Sequence, residues 1–104
     1  MGYNVMIQTS NLELRNEVND AQVKYICATL EDDCWFEDAE LVGSRIAVSY
    51  YGKLCYDMKD TLKLLSQYFV EGSYVHFAGE DGAHFRYIFK DRDVEEERAR
   101  IVWS

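Results

Sequence analysis

The sequence has no proline, only three cysteines and two histidines among its 104 residues, and no long uninterrupted apolar run. The lack of proline is compatible with continuous helices and strands. The lack of an apolar run predicts no transmembrane helix, and the polar opening MGYNVMIQTSN, without a basic leader, predicts no signal peptide. We therefore expect a soluble protein of the cytoplasm.

Recognisable catalytic motifs are also missing. The chain contains no HExxH, no GxSxG, no glycine-rich phosphate loop and no dinucleotide fingerprint. The segment Gly79-Glu80-Asp81-Gly82 is typical of a turn and does not suit a phosphate, because its two acids would face the anion. We predict that the protein is not an enzyme, has no catalytic residue and binds no cofactor.

The cysteines, Cys27, Cys34 and Cys55, form no CxxC pair. Three thiols cannot all pair within one chain, which favours reduced cysteines in a reducing compartment. Cys27 falls on the apolar stripe of a predicted helix, so we expect it in the core. Cys34 is the one candidate nucleophile, but the carboxylates that flank it raise the pKa of a thiol and suppress the thiolate.

Acidic side chains strongly outnumber basic ones in this sequence. The chain has 19 acidic and 11 basic side chains, a formal net charge of −8. Such a field repels nucleic-acid phosphates and argues against direct binding of DNA or RNA. It favours a basic partner, including the basic face of a nucleic-acid-binding protein; solubility alone is the alternative explanation.

Hydrophobic periodicity predicts one α+β domain over residues 1–104. The predicted order is β-α-β-α-β-β-β, a mostly antiparallel sheet with two helices packed on one face. Asn19 or Asp20 is the expected cap of the first helix and Asp57 that of the second. The predicted strands are 3–9 (extended by Leu12 and Leu14), 44–51, 73–78, 83–90 and 94–103, and the helices are 19–31 and 58–70.

His76 and His84 flank the turn of the predicted hairpin. A two-residue loop would point them to opposite faces of the sheet, whereas a loop of three or five residues would place them on the same face. Even then only Glu80 or Asp81 could join them as ligands, and no third ligand is fixed. We predict no metal site.

Two acidic segments stand out, residues 31–40, read as an irregular connection, and residues 91–97. Acids there could steer a basic partner, imitate a row of phosphates as a DNA mimic does, and surround an aromatic anchor. The alternative is a solvated charge run whose aromatics turn into the core. The predicted partner-binding residues are Glu31, Asp32, Asp33, Trp35, Phe36, Glu37, Asp38, Glu40, Asp93, Glu95, Glu96 and Glu97.

Five short stretches carry a resemblance to known sequences: Met1-Gly2-Tyr3, Glu71-Gly72-Ser73-Tyr74, Gly79-Glu80-Asp81-Gly82, Phe85-Arg86-Tyr87 and Ile101-Val102-Trp103. In them the chain resembles small phage- and prophage-encoded proteins of unknown function from Gram-positive and gut bacteria. The resemblance implies a protein of the bacterial host cytoplasm and, by analogy, an anti-CRISPR-type inhibitor that blocks a basic nucleic-acid-binding effector such as a CRISPR nuclease.

Two alternatives stay open, an immunity protein that neutralises a toxin nuclease, and a small enzyme or metal protein that uses His76, His84 or Cys34. A homodimer through open strand edges is also possible.

Overall fold

The computed structural model describes residues 4–55 and 57–100, with side chains through Arg98. The predicted strand residues Tyr3 and 101–103, and the resemblance at both termini, lie outside the described residues. The elements are β1 (Asn4–Glu13), α1 (Asp20–Asp33), β2 (Asp38–Val42), β3 (Arg45–Ser49), β4 (Tyr51–Lys53), α2 (Met58–Leu65) followed by a 3-10 turn (Ser66–Tyr68), β5 (Tyr74–Gly79), β6 (Ala83–Lys90) and β7 (Asp93–Arg100).

The seven strands form one antiparallel sheet in the order β2-β3-β1-β5-β6-β7, with β4 beside the first part of β1. The predicted α+β class is confirmed. β1 is central because one of its sides pairs with β5 along most of its length, while the other pairs first with β4 and then with β3. A register shift between Ile7 and Thr9 changes which positions of β1 face the core: the odd-numbered Val5 is buried before it and the even-numbered Leu12 after it.

Helix α1 begins with a reciprocal cap. The Asn19 carboxamide oxygen accepts from the Gln22 amide at 2.9 Å, and the Gln22 side chain accepts from the Asn19 amide at 2.9 Å. Of the two caps predicted for this helix, Asn19 is the one formed. Asp57, predicted to cap α2, makes no side-chain cap hydrogen bond.

The core lies between the helices and one face of the sheet. Ile26 and Leu30 of α1 and Leu62 and Leu65 of α2 are fully buried there, as is Phe77 of β5. Phe77 stacks on one aromatic ring and meets others edge to face, an arrangement that aromatic quadrupoles favour. The opposite face of the sheet carries no helix among the described residues.

The sequence prediction had too few strands. The interpretation of residues 31–40 as a connection holds only for residues 34–37, because residues 31–33 complete α1 and residues 38–40 begin β2. β2 was hidden because it is an edge strand whose only buried side chain is Ala39, so no apolar alternation shows. The predicted strand 44–51 is interrupted at Tyr50, whose ring turns into the core and whose hydroxyl donates to the Lys53 carbonyl.

Candidate functional site

The last turn of α1 carries three exposed carboxylates, Glu31, Asp32 and Asp33, and no basic residue. A helix C-terminus has a partial negative charge, so each acid there destabilises the helix by roughly 0.3–1 kcal/mol. The sequence therefore places these acids where they weaken the helix.

The turn that follows places an exposed tryptophan in a rarely used conformation. Trp35 has φ of 63°, in the left-handed region where glycine is favoured after a helix, and its side chain is 53% exposed. The amides on either side of it close the helix end: Cys34 donates to the Thr29 carbonyl at 3.3 Å and Phe36 to the Leu30 carbonyl at 3.1 Å. Holding a bulky residue in this conformation costs about 1–2 kcal/mol.

Phe36, expected at the surface as an anchor beside Trp35, is instead only 4% exposed. Its ring packs edge to face against Tyr50 and Phe77, at centroid distances of 5.2 and 6.3 Å. Both residues lie in the turn between α1 and β2, where the chain directs Phe36 into the core and leaves Trp35 in solvent. Of these two aromatics, Trp35 is the one exposed enough to act as a surface anchor.

The acids around Trp35 are exposed, and within residues 4–55 and 57–100 none of them forms an ion pair. Glu31 makes one internal contact, accepting a hydrogen bond from the Ala39 amide at 3.1 Å. Burial, followed by the charges of Glu31, Asp38 and Glu40, raises the pKa of the half-buried Cys27 thiol, which places these three carboxylates around one point. We name this region the 31–40 surface: the exposed side chains of Glu31, Asp32, Asp33, Trp35, Glu37, Asp38 and Glu40.

The second acidic run, in β7, has a different environment. Four of its acids pair with bases: Asp93 with Lys63 and Glu95 with Lys90, both at 3.7 Å, Glu97 with Arg86 at 2.7 Å, and Glu96 with Arg98. These exposed pairs add little stability, but they offset the negative charge locally.

β7 and β2 are opposite edges of the sheet, five strand spacings or about 24 Å apart. The two acidic runs therefore form separate surfaces. The role of the β7 acids in partner binding stays a prediction.

The two histidines lie on the same face of the sheet. The loop between β5 and β6 has three residues, with Gly82 at φ of 84°, and the register pairs His76 with Arg86 and Ala78 with His84. The expectation based on a two-residue loop is thus wrong, and the three-residue alternative holds. The Nε2 atom of His76 is 3.0 Å from the Nδ1 atom of His84, so one imidazole donates to the other.

No group of three or more His, Cys, Asp or Glu side chains that could hold a metal occurs in the part of the chain that the structure describes. Burial, then the charges of His84 and Arg86, lowers the pKa of His76, which favours its neutral form. His76 is therefore favoured as a neutral partner in this hydrogen bond.

None of the three thiols is arranged as a nucleophile. Burial, with the neighbouring Cys55 as the next cause, raises the pKa of Cys34 to about 12. Burial also raises the pKa of Cys55, whose thiol donates to the Asp33 carbonyl at 3.1 Å. Cys27, expected in the core, is half-buried and packs against it.

No helix in the described residues is long and apolar enough to cross a membrane. Comparison with protein-family models, with curated proteins and with solved structures finds no match to the chain. The residues of the 31–40 surface therefore carry the functional argument by themselves.

Proposed function

We propose that this chain is a non-catalytic binding protein that uses the 31–40 surface to occupy the basic, nucleic-acid-binding surface of another protein. In keeping with the sequence resemblance, the proposed role is that of a phage-encoded inhibitor of a host defence effector, of the anti-CRISPR type. The observation that carries the proposal is the exposed, left-handed Trp35 among carboxylates that form no ion pair within the described part of the chain.

Three features that each weaken the fold coincide in this one segment: acids at the negative end of α1, a bulky residue in a conformation that suits glycine, and a large aromatic ring left in water. Violations of local sequence rules are expected where a protein makes contact with something else. The segment of β7 provides the contrast, since its acids are paired with bases on neighbouring elements.

The physical mechanism has two parts. The unpaired carboxylates attract a basic surface over a distance set by ionic strength, which raises the association rate. Trp35 then supplies the apolar contact that is desolvated in the complex and slows dissociation. A nucleic acid bound to the same basic surface would be displaced, because both ligands present rows of negative charge.

The test is affinity capture of partners from a bacterial lysate at low and high ionic strength, followed by binding measurements with the recovered protein. Trp35→Ala should weaken binding by about 2 kcal/mol or more, roughly 30-fold. Asp32→Asn combined with Glu37→Gln should slow association and reduce its dependence on salt.

Glu95→Gln combined with Glu97→Gln is the matched control, because it removes the same charge from the other edge of the sheet. Equal losses in the two double variants would contradict a specific role of the 31–40 surface, because net charge or the β7 acids would then contribute as much to binding. A recovered toxin nuclease would assign the immunity role in place of the inhibitor role. Recovery of no nucleic-acid-handling protein at low salt would contradict both.

A further inference from the structure

The histidine pair lies on the helix-free face of the sheet, next to an open pocket. His76 belongs to β5 and His84 to β6, and both rings are half-buried. The pocket has a volume of about 480 Å³, and Arg86 and Glu97 also line it. His76 lies three strand positions from β2 and His84 lies four, and neither belongs to the 31–40 surface.

Two imidazole nitrogens this close match the spacing of two ligands on one metal ion. The distance from His76 Nε2 to His84 Nδ1 is 3.0 Å, and the ring planes are inclined by 67°. Tetrahedral zinc with bonds of about 2.0–2.1 Å requires its nitrogen ligands to be roughly 3.3 Å apart. An ion could therefore replace the shared proton if the two nitrogens separated by about 0.3 Å and the rings rotated until both lone pairs pointed at the ion.

We propose that His76 and His84 form a two-imidazole site for a divalent transition-metal ion such as Zn²⁺, with its remaining positions open to solvent. Imidazole suits Zn²⁺, Cu²⁺ and Ni²⁺ and does not suit Mg²⁺ or Ca²⁺. The adjacent pocket has room for water ligands, so the ion would be exchangeable.

Two guanidinium groups, Arg86 and Arg98, line the pocket, and each is paired with a carboxylate, Arg98 with Glu96. Arg86, opposite His76 in the register, would repel a cation, but its guanidinium is held by the Glu97 carboxylate at 2.7 Å. The same contact keeps Glu97 from serving as a third ligand.

The chain offers a direct readout, because it contains only two histidines. The full chain, stripped with a chelator and kept reduced, is titrated with Zn²⁺ alone while the Cε1–H signals of both imidazoles are followed by NMR. We expect both signals to move together and to saturate at one ion per chain. Mg²⁺ at the same concentration should move neither.

Three variants separate the histidines from the thiols. His76→Gln and His84→Gln should each weaken Zn²⁺ binding by about tenfold or more, whereas Cys27→Ser, the control at the most accessible thiol, should leave it unchanged. Far-UV circular dichroism establishes that each variant is folded. Zinc binding that survives both histidine changes, or imidazole signals that stay fixed up to millimolar Zn²⁺, would overturn the proposal without affecting the proposed role of Trp35.

Discussion

The left-handed backbone at Trp35 makes a sharp prediction about stability. Trp35→Gly and Trp35→Ala both remove the indole ring, so the two variants lose the same side-chain contacts. They differ in the backbone, since glycine adopts φ near 63° freely and alanine does not. The difference in the free energy of unfolding between them therefore reports the cost of the conformation, reduced by the greater freedom of glycine in the unfolded chain.

The expected difference follows from two opposing terms. An L-residue in the left-handed region costs about 1–2 kcal/mol, and the greater freedom of glycine in the unfolded chain takes back about 0.4–1 kcal/mol. The variant Trp35→Gly should therefore be more stable than Trp35→Ala by about 1 kcal/mol. In a domain of this size that corresponds to a difference in Tm of roughly 4–8 °C.

The measurement is urea denaturation of both variants, with the thermal midpoint as a second readout. Ala28, exposed within α1, provides the matched control: Ala28→Gly should lower stability by about 0.5–1 kcal/mol, the opposite order of the same two residues. If alanine is as stabilising as glycine at position 35, the turn is relaxed in solution, and the strain argument for a functional Trp35 is refuted.

Three further predictions concern the core, the histidines and the thiols. Phe36→Ala should destabilise the fold by about 3–5 kcal/mol in the same denaturation assay, because its ring is buried; a change below about 1 kcal/mol would place that ring in solvent. Because the pKa of His76 is lowered in the folded protein, the unfolded chain binds a proton at His76 at a higher pH than the folded chain does. Stability should therefore be full above pH 6.5 and fall as the pH drops below it. His76→Gln should flatten this dependence, and an unchanged slope would assign it to other groups. In the native protein Cys34 and Cys55 should react with a thiol reagent far more slowly than Cys27, and equal rates under native conditions would contradict their burial.

The parts of the fold that could be predicted are those in which local chemistry and packing agree. The hairpin of β5 and β6 has glycines at both ends of its turn and alternating aromatics in its strands, so its strands were placed to within a residue. Leu12 was also recognised as an extension of the first strand, although the register shift after Ile7 reverses the alternation. In both cases the alternation of apolar and polar residues is regular next to the irregular position, which is the hairpin turn in one case and the register shift in the other.

The missed features depend on contacts between distant segments. Nothing local marks β2 as a strand, because its pairing with β3 is what defines it and its acids face solvent. Whether the two histidines share a face of the sheet depends on whether the hairpin loop has two or three residues. Hydrophobic periodicity does not reveal that difference. The turn at Trp35 carried one usable signal: no glycine or asparagine follows α1, so a left-handed helix end of the common kind falls on another residue, here Trp35.

The distribution of charge distinguishes a binding surface from a merely soluble one. If selection acted only for solubility, acids could occupy any exposed position, and those on β7 show that this chain pairs its surface acids where neighbours allow. At the end of α1, acids stand against the helix dipole with a strained tryptophan among them. Solubility requires neither feature, and an exposed indole ring works against it. A partner with a basic rim and an apolar pocket would use both, which is why we assign binding to this surface and not to the net charge.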